Sequence, residues 1–242
     1  MIQFYHKSQE AVNGEMKIIF IRHLPTPGNE KRQYIGSTDE DLSQGAVERF
    51  RKMQPDNREG IYPPVQYVIA SPLKRCIRTA ELIWPGQEIL IEPMLRECDF
   101  GAYERKTYEE LKNEPEYIRW MESGGMTAFP GGEDQTDFRR RCADGVKQWI
   151  GRLFEKDADS AAFVVHGGTI MAALEALAKL PEQDSGDPGE RFYRWQAENG
   201  CGYIAEAERR EWESGRQILK NIQMLKSPSI KSNRWKQVKA SP

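Results

Sequence analysis

The sequence is poor in histidine and cysteine and has no surplus of charge, and each shortage narrows what the chain can do. Lys and Arg number 35 against 37 Asp and Glu, a formal net charge of −2. That balance lacks the basic footprint of a nucleic-acid-binding surface. No apolar run approaches the roughly 20 residues of a membrane-spanning helix. The opening M-I-Q-F-Y-H-K-S-Q-E has no apolar centre of the signal-peptide kind. The expectation is a soluble, cytoplasmic chain with neither nucleic acid nor membrane as partner. The four cysteines, Cys76, Cys98, Cys142 and Cys201, are far apart and form no C-x-x-C pair. They read as reduced core or pocket residues, not as a zinc site or disulfide framework. The three histidines form no H-x-x-x-H or H-x-E pattern. A metal site would want further ligands and supporting partners, so no metal is expected.

What is present organises itself around M-K-I-I-F-I-R-H-L-P-T-P-G-N, Met16 to Asn29. Ile18 to Ile21 is short, β-branched and unbroken, the signature of a buried central strand. Arg22 and His23 then stand where that strand emerges, and in open α/β sheets ligands bind at the carboxyl ends of strands. The pair reads either as a nucleophile with an anion clamp or as a structural histidine in a turn. A second strand, Val65 to Ala70, runs into Ser71-Pro72, read as an N-cap followed by Pro at the first helical position. Between them a helix from about Leu42 buries Leu42, Ala46, Phe50 and Met53, and Pro55 ends it. After Pro72, Leu73, Ile77, Ala80 and Trp84 supply the next apolar face.

Glu88 to Ile91 is a short third strand, followed by a loop over L-R-E-C-D-F-G-A-Y-E. Thr107-x-x-Glu110 is a capping box opening a helical stretch. F-P-G-G-E-D is a turn, and the longest helix follows with Phe138, Cys142, Val146, Trp149 and Leu153 at helical spacing. Ala161 to Val165 is a buried strand that ends in His166-Gly167-Gly168-Thr169, and Ile170, Ala173, Leu174 and Leu177 mark a further helix. Residues 181–200 read as a polar, mobile cover. Gly202 to Ala207 and Gln217 to Ile222 read as an antiparallel pair. The alternation predicts an α/β fold: a three-layer helix–sheet–helix sandwich around a mostly parallel central sheet. Residues 1–15 read as a loosely held extension, 16–225 as one domain, and 226–242 as a basic tail.

His23 and His166 each follow a buried strand directly, which points to two imidazoles meeting at one sheet edge. Their surroundings are cationic and glycine-rich. Arg22 adjoins His23, Arg75 lies one turn into a helix, and Gly167-Gly168 offers bare amides at a helix start. Guanidinium groups, helix N-termini and free amides suit a dianionic phosphate better than a metal cation.

Four blocks then stand in order. They are R-H-L-P-T-P-G-N at Arg22, G-S-T-D-E-D-L-S at Gly36, S-P-L-K-R-C-I-R-T-A at Ser71, and L-R-E-C-D-F-G-A-Y-E at Leu95 taken with V-V-H-G-G at Val164. With them the chain resembles the histidine phosphatase (phosphoglycerate mutase-like) superfamily from about Met16 to about Leu225. The resemblance implies a phosphoglycerate mutase-like fold and hydrolysis of a small-molecule phosphomonoester without metal or cofactor. It implies His23 as the nucleophile, and Arg22, Arg75 and His166 as holders of the transferring phosphoryl oxygens. It makes Glu97 the general acid, with Asn29, Gly36 and Gly167 at the phosphate. The sequence does not fix the oligomeric state, and a homodimer is one assembly open to the chain.

Within the family, C-D-F-G-A-Y-E, F-P-G-G-E-D and N-G-C-G-Y look similar to the subgroup acting on α-ribazole 5′-phosphate in cobalamin assembly. A phosphoglycerate mutase is the first alternative. Its insertion after the acidic residue is usually longer than the 35 residues from Glu97 to Gly132. A non-catalytic phospholigand-binding scaffold is the second. Arg78 rivals Arg75 as an anion holder, and Asp39 reads as a turn residue or a ligand contact. Four departures from the family pattern stand out: Leu24 for Gly in R-H-G, Asp41 for Pro, Tyr103 for Trp and Arg105 for Gly.

Overall fold

The computed structural model describes residues 14–53, 59–125, 127–179 and 188–225. The expected extension and tail lie outside the described residues, apart from Gly14 and Glu15. Among the described residues, six strands form one sheet in the order β3-β2-β4-β1-β5-β6. The strands are β1 (Glu15–Arg22), β2 (Tyr67–Ala70), β3 (Ile89–Ile91), β4 (Ser160–Val165), β5 (Gly202–Glu208) and β6 (Leu219–Leu225). β1–β4, β4–β2 and β2–β3 pair in parallel, and β5 runs against both β1 and β6. The expected mostly parallel sheet is therefore present.

The helices lie on both faces: α1 (Pro27–Glu30), α2 (Gln44–Lys52), α3 (Lys74–Ile83), α4 (Tyr108–Leu111), α5 (Pro115–Glu122), α6 (Gln135–Glu155), α7 (Gly167–Leu177), α8 (Pro188–Tyr193) and α9 (Arg209–Glu213). The period of two along each strand decides which layer a residue joins. Ile18, Phe20, Phe163 and Val165 pack under α6 and α7 with Val146, Ile150, Ile170 and Leu174. Ile19, Ile21, Ala162 and Val164 pack on the other side with Phe50, Cys76, Ala80 and Trp84. Both faces are covered, so these strands read as continuous apolar runs. A third cluster of Tyr103, Tyr117, Trp120, Phe129, Phe138 and Phe192 is built mostly of aromatic residues. No described helix is long and apolar enough to cross a membrane.

Several local expectations change. The second helix starts at Gln44, because Ser43 Oγ caps it by accepting the Ala46 N–H at 3.1 Å. The P-T-P-G-N turn contains a helical turn, closed by a capping box between Thr26 and Asn29. Ser71 is not the cap of α3. The helix begins at Lys74, and Asp39 Oδ1 accepts the Lys74 N–H at 2.8 Å. The face of α3 that is buried is Arg75, Cys76, Thr79 and Ala80, while Leu73 and Ile77 stay half-exposed. The helix turns toward a polar site, which periodicity of apolar residues cannot foresee. The Thr107–Glu110 capping box is present and opens α4, and α5 follows as a separate helix with Pro115 in its first turn. The expected polar cover is part helix. α8 carries buried Phe192, and Ala197 is also buried. Residues 180–187 lie outside the described residues.

Candidate active site

β1 and β4 are parallel neighbours in register, with Arg22 opposite Val165. The next residue of each is a histidine. The His23 N–H donates to Val165 O at 2.9 Å. The two imidazole rings meet edge to face, centroids 5.2 Å apart. Register therefore brings together two residues 143 positions apart in the chain.

His23 is 3% exposed. Its Nδ1 lies 2.7 Å from the Leu24 carbonyl, which can only accept, so Nδ1 carries the hydrogen and Nε2 keeps its lone pair. Burial pushes the His23 pKa well below its ordinary value, and the charges of Arg75 and Arg22 push it further. A neutral ring with a bare Nε2 is the nucleophilic form. Leu24 itself is buried. Its N–H donates to Thr79 Oγ1 at 3.0 Å, and its side chain packs in the apolar layer with Ile21, Leu42, Val68 and Ala80.

Arg75 is fully buried. Its Nε donates to His166 Nδ1 at 3.2 Å, Nη1 to Thr38 O at 2.8 Å, and Nη2 to Gly36 O at 2.8 Å and to Ile35 O at 3.5 Å. Of the five N–H directions of a guanidinium, one on Nη1 is left. Because His166 Nδ1 accepts from Arg75, its Nε2 carries the hydrogen, and Ser71 Oγ lies 2.7 Å away to receive it. Burial and the Arg75 charge hold His166 well below its ordinary pKa. Ser71 is thus part of the site. Reading S-P as a helix start hid this, although its hydroxyl was the signal.

Glu97 lies between two amides. Oε1 accepts the Cys98 N–H at 3.0 Å, and Oε2 accepts the Gly168 N–H at 3.1 Å at the start of α7. Burial raises its pKa, and these two bonds with the Arg75 and Arg22 charges oppose the rise. A Cβ on Gly168 would overlap Glu97 Oε1. Arg22 donates Nη1 to Ala197 O at 2.9 Å, while its buried Nε has no acceptor. Gly167 lies beside that guanidinium. Burial lowers the pKa of Arg22.

His23, Arg22, Arg75, Glu97 and His166 thus converge on one sheet edge. Asn29 joins them with Oδ1 engaged by the Thr26 N–H and by Asn199 Nδ2, each at 3.2 Å, which leaves its own Nδ2 as donor. Asn199, unforeseen from the sequence, also donates to His23 O at 2.9 Å. Gly36 stands behind Arg75, its N–H given to Glu104. Arg78 pairs instead with Glu81 at 2.9 Å on the exposed side of α3.

A cavity of about 850 Å³ opens over Arg22, Asn29, Glu97, Gly167 and Gly168. Much of its lining is aromatic, with Tyr34, Phe100, Trp120, Phe129, Phe138 and Phe192. Among the described residues no group of three or more His, Cys, Asp or Glu could hold a metal ion. The arrangement supplies a neutral nitrogen nucleophile, fixed positive charge and a buried carboxyl, which are the parts of acid-assisted transfer to nitrogen.

Known proteins resemble this chain in sequence and in fold. The probable phosphoglycerate mutase GpmB of Cronobacter sakazakii is 30% identical over 171 residues, 69% of this chain and 76% of that protein. The crystal structure of the α-ribazole phosphatase from Shigella flexneri has the same fold at 22% identity and a TM-score of 0.68, covering 90% of this chain and all of that one. So does the phosphoserine phosphatase of Entamoeba histolytica, solved with 3-phosphoglyceric acid, at 21% identity and a TM-score of 0.67 over 88% of this chain and 98% of that one. The sequence pattern of the histidine phosphatase superfamily, branch 1, matches residues 18–217, four of whose five converging polar side chains arrive from strand ends or helix starts, and to that superfamily the chain belongs.

Proposed function

We propose that the protein hydrolyses small phosphomonoesters through a phosphohistidine on His23. The observation that carries the reading is the bond from His23 Nδ1–H to the Leu24 carbonyl, which leaves Nε2 as the attacking atom. The Nε2 lone pair forms the N–P bond as the ester P–O bond breaks. Protonated Glu97 gives its proton to the departing oxygen. As carboxylate it then takes a proton from water. The resulting hydroxide forms a new P–O bond, the N–P bond breaks, and its electron pair returns to Nε2.

Arg22 meets the phosphoryl oxygens with Nη groups and the unpartnered Nε, and Arg75 with its remaining N–H. Asn29 Nδ2 and the Gly167 amide add neutral donors. Fixed donors aimed at developing charge account for most of the rate in such transfers. His166 braces Arg75, since both its nitrogens are already bonded. The guanidinium groups supply the positive charge, so the step needs no metal ion.

For the substrate, the aromatic lining suits a leaving group with an aromatic ring. Together with the local resemblance of residues 98–104, 129–134 and 199–203, it makes α-ribazole 5′-phosphate the natural ester to try first. A glycerate carboxylate would want a cation beyond Arg22, and among the described lining residues Arg32 is the one further Lys or Arg, against seven aromatic side chains.

The experiment is a hydrolysis panel in excess chelator. It includes p-nitrophenyl phosphate, α-ribazole 5′-phosphate, phosphoserine and 3-phosphoglycerate, with the parent protein and His23→Ala. The expected result is chelator-insensitive hydrolysis that His23→Ala removes, strongest with the aromatic esters. Hydrolysis surviving His23→Ala would sink the phosphohistidine. Phosphate exchange between glycerates in place of release would favour the mutase. Phosphate binding without turnover would favour the scaffold.

A further inference from the structure

Glu104 does not line the cavity, yet its carboxylate takes more hydrogen bonds than the site carboxylate Glu97. It sits at the end of a helical turn, Gly101–Tyr103. Oε1 accepts the N–H groups of Gly36 and Ser37 at 3.0 Å each and of Phe100 at 3.1 Å. Oε2 accepts Thr38 Oγ1 at 2.6 Å, the Thr38 N–H at 3.3 Å and a share of the Gly36 N–H at 3.2 Å. Three successive amides therefore point at one carboxylate.

A segment held by its amides must put its carbonyls elsewhere. Gly36 O and Thr38 O both receive the Arg75 guanidinium at 2.8 Å. The next residue, Asp39, accepts the amide of Lys74, the neighbour of Arg75 in the first turn of α3. Residues 36–39 thus form a strap between Glu104 and the start of α3. The buried end of the strap grips the cation that also bonds His166. Gly36 must be bare here, because a Cβ would overlap the Cys98 carbonyl.

We propose that Glu104 is a positioning residue: by holding the amides of Gly36 to Thr38 it aims the carbonyls that lock Arg75 in its place against His166. The proposal rests on the phosphoryl-transfer reading of the site. An unlocked arginine keeps several rotatable bonds, so the loss appears as weaker phosphate binding and slower transfer together.

Glu104→Gln keeps the size but turns an NH₂ donor toward a ring of N–H donors. The assay compares the parent, Glu104→Gln, Arg75→Ala and the double variant, all well below their melting temperatures. It reads kcat and KM for p-nitrophenyl phosphate, and Kd for inorganic phosphate by calorimetry. Loss of bonds to a charged group predicts about a tenfold fall in kcat/KM and a parallel rise in Kd for Glu104→Gln. The double variant is expected to be no worse than Arg75→Ala alone, because both act through one group.

Thr38→Val keeps the shape and removes a single donor, so its effect runs in the same direction and is smaller; it carries the test should Glu104→Gln fail to fold. Losses that multiply in the double variant would overturn the proposal, as would parent-like phosphate affinity in folded Glu104→Gln or Thr38→Val. If the parent hydrolyses no ester but binds phosphate, the proposed function fails while the phosphate arm still reads the positioning. A parent that does neither overturns both.

Discussion

Gly168 has no side chain because the Glu97 carboxylate occupies the place where one would go. A Cβ there would meet Oε1 of Glu97 and lie 2.9 Å from Phe138 Cζ. At Gly167 a Cβ would lie 3.4 Å from the Arg22 guanidinium, an ordinary contact at its near limit. The two adjacent glycines therefore differ in kind. Gly168→Ala is expected to displace the acid and cost kcat about 100-fold, the lower range for a general acid. Gly167→Ala should keep most of the activity. Steady-state kinetics on folded variants decides, and equal losses would contradict this placement of Glu97. Leu24 illustrates the same scale. A family glycine is replaced by a leucine buried in the apolar layer with Ile21, Leu42 and Val68, so the substitution is absorbed by the core.

At the scale of elements, α3 and α7 begin at the site and carry its positive ends there. α7 spends its first free amides on Glu97 and on the cavity, the usual use of a helix N-terminus for an anion. α3 has no side-chain cap of its own at Leu73 and borrows Asp39 from another loop. Asp39→Ala is expected to cost about 1 kcal/mol, the loss of an N-cap bond. The exposed ion pair between Asp39 and Lys74 adds little in water. Urea denaturation of the variant beside Lys74→Ala separates the two, since only Asp39→Ala loses the amide bond. No change in the Asp39→Ala midpoint would show that the α3 start needs no outside acceptor. In the turn before α4, Arg105 sits at φ 63° where the family keeps glycine. Its left-handed backbone explains the family residue, and the arginine bears the strain.

For the whole molecule, burying two neutral histidines beside two arginines ties folding to pH. His23 and His166 both have pKa values well below the ordinary value of about 6.5. Below that pH the unfolded chain binds protons that the folded chain refuses, so these groups' contribution to stability falls as pH drops through the window. Glu97 acts in the opposite sense. Its raised pKa lets the folded state hold a proton above the ordinary carboxyl range, and that contribution is lost as pH rises through the folded pKa. His166→Gln removes one histidine from the balance. Between pH 6 and the lower folded pKa, its stability should depend on pH less steeply than the parent's by up to about 1.4 kcal/mol per unit. Parallel unfolding curves for parent and variant would contradict the neutral burial of His166. Burial first, and the arginine charges after it, keep both rings neutral.

The buried strands, the parallel sheet and the meeting of Arg22, His23, Arg75, Glu97 and His166 were all legible in the chain. Strand-end histidines and the order of four motifs carry that information locally. What stayed hidden depended on partners distant in sequence. Ser71 reads as a helix cap until the β2–β4 register brings His166 beside it. Asp39 reads as a turn until α3 is packed against its loop. Asn199 lies in a stretch that looks like a cover, and the aromatic wall gathers side chains from several helices. The sequence by itself determined the layers, because apolar period is a property of neighbours along the chain. Only the tertiary structure decided which polar atom meets which: a hydroxyl, amide or carboxylate can serve several partners, and its choice depends on what the fold brings within about 3 Å.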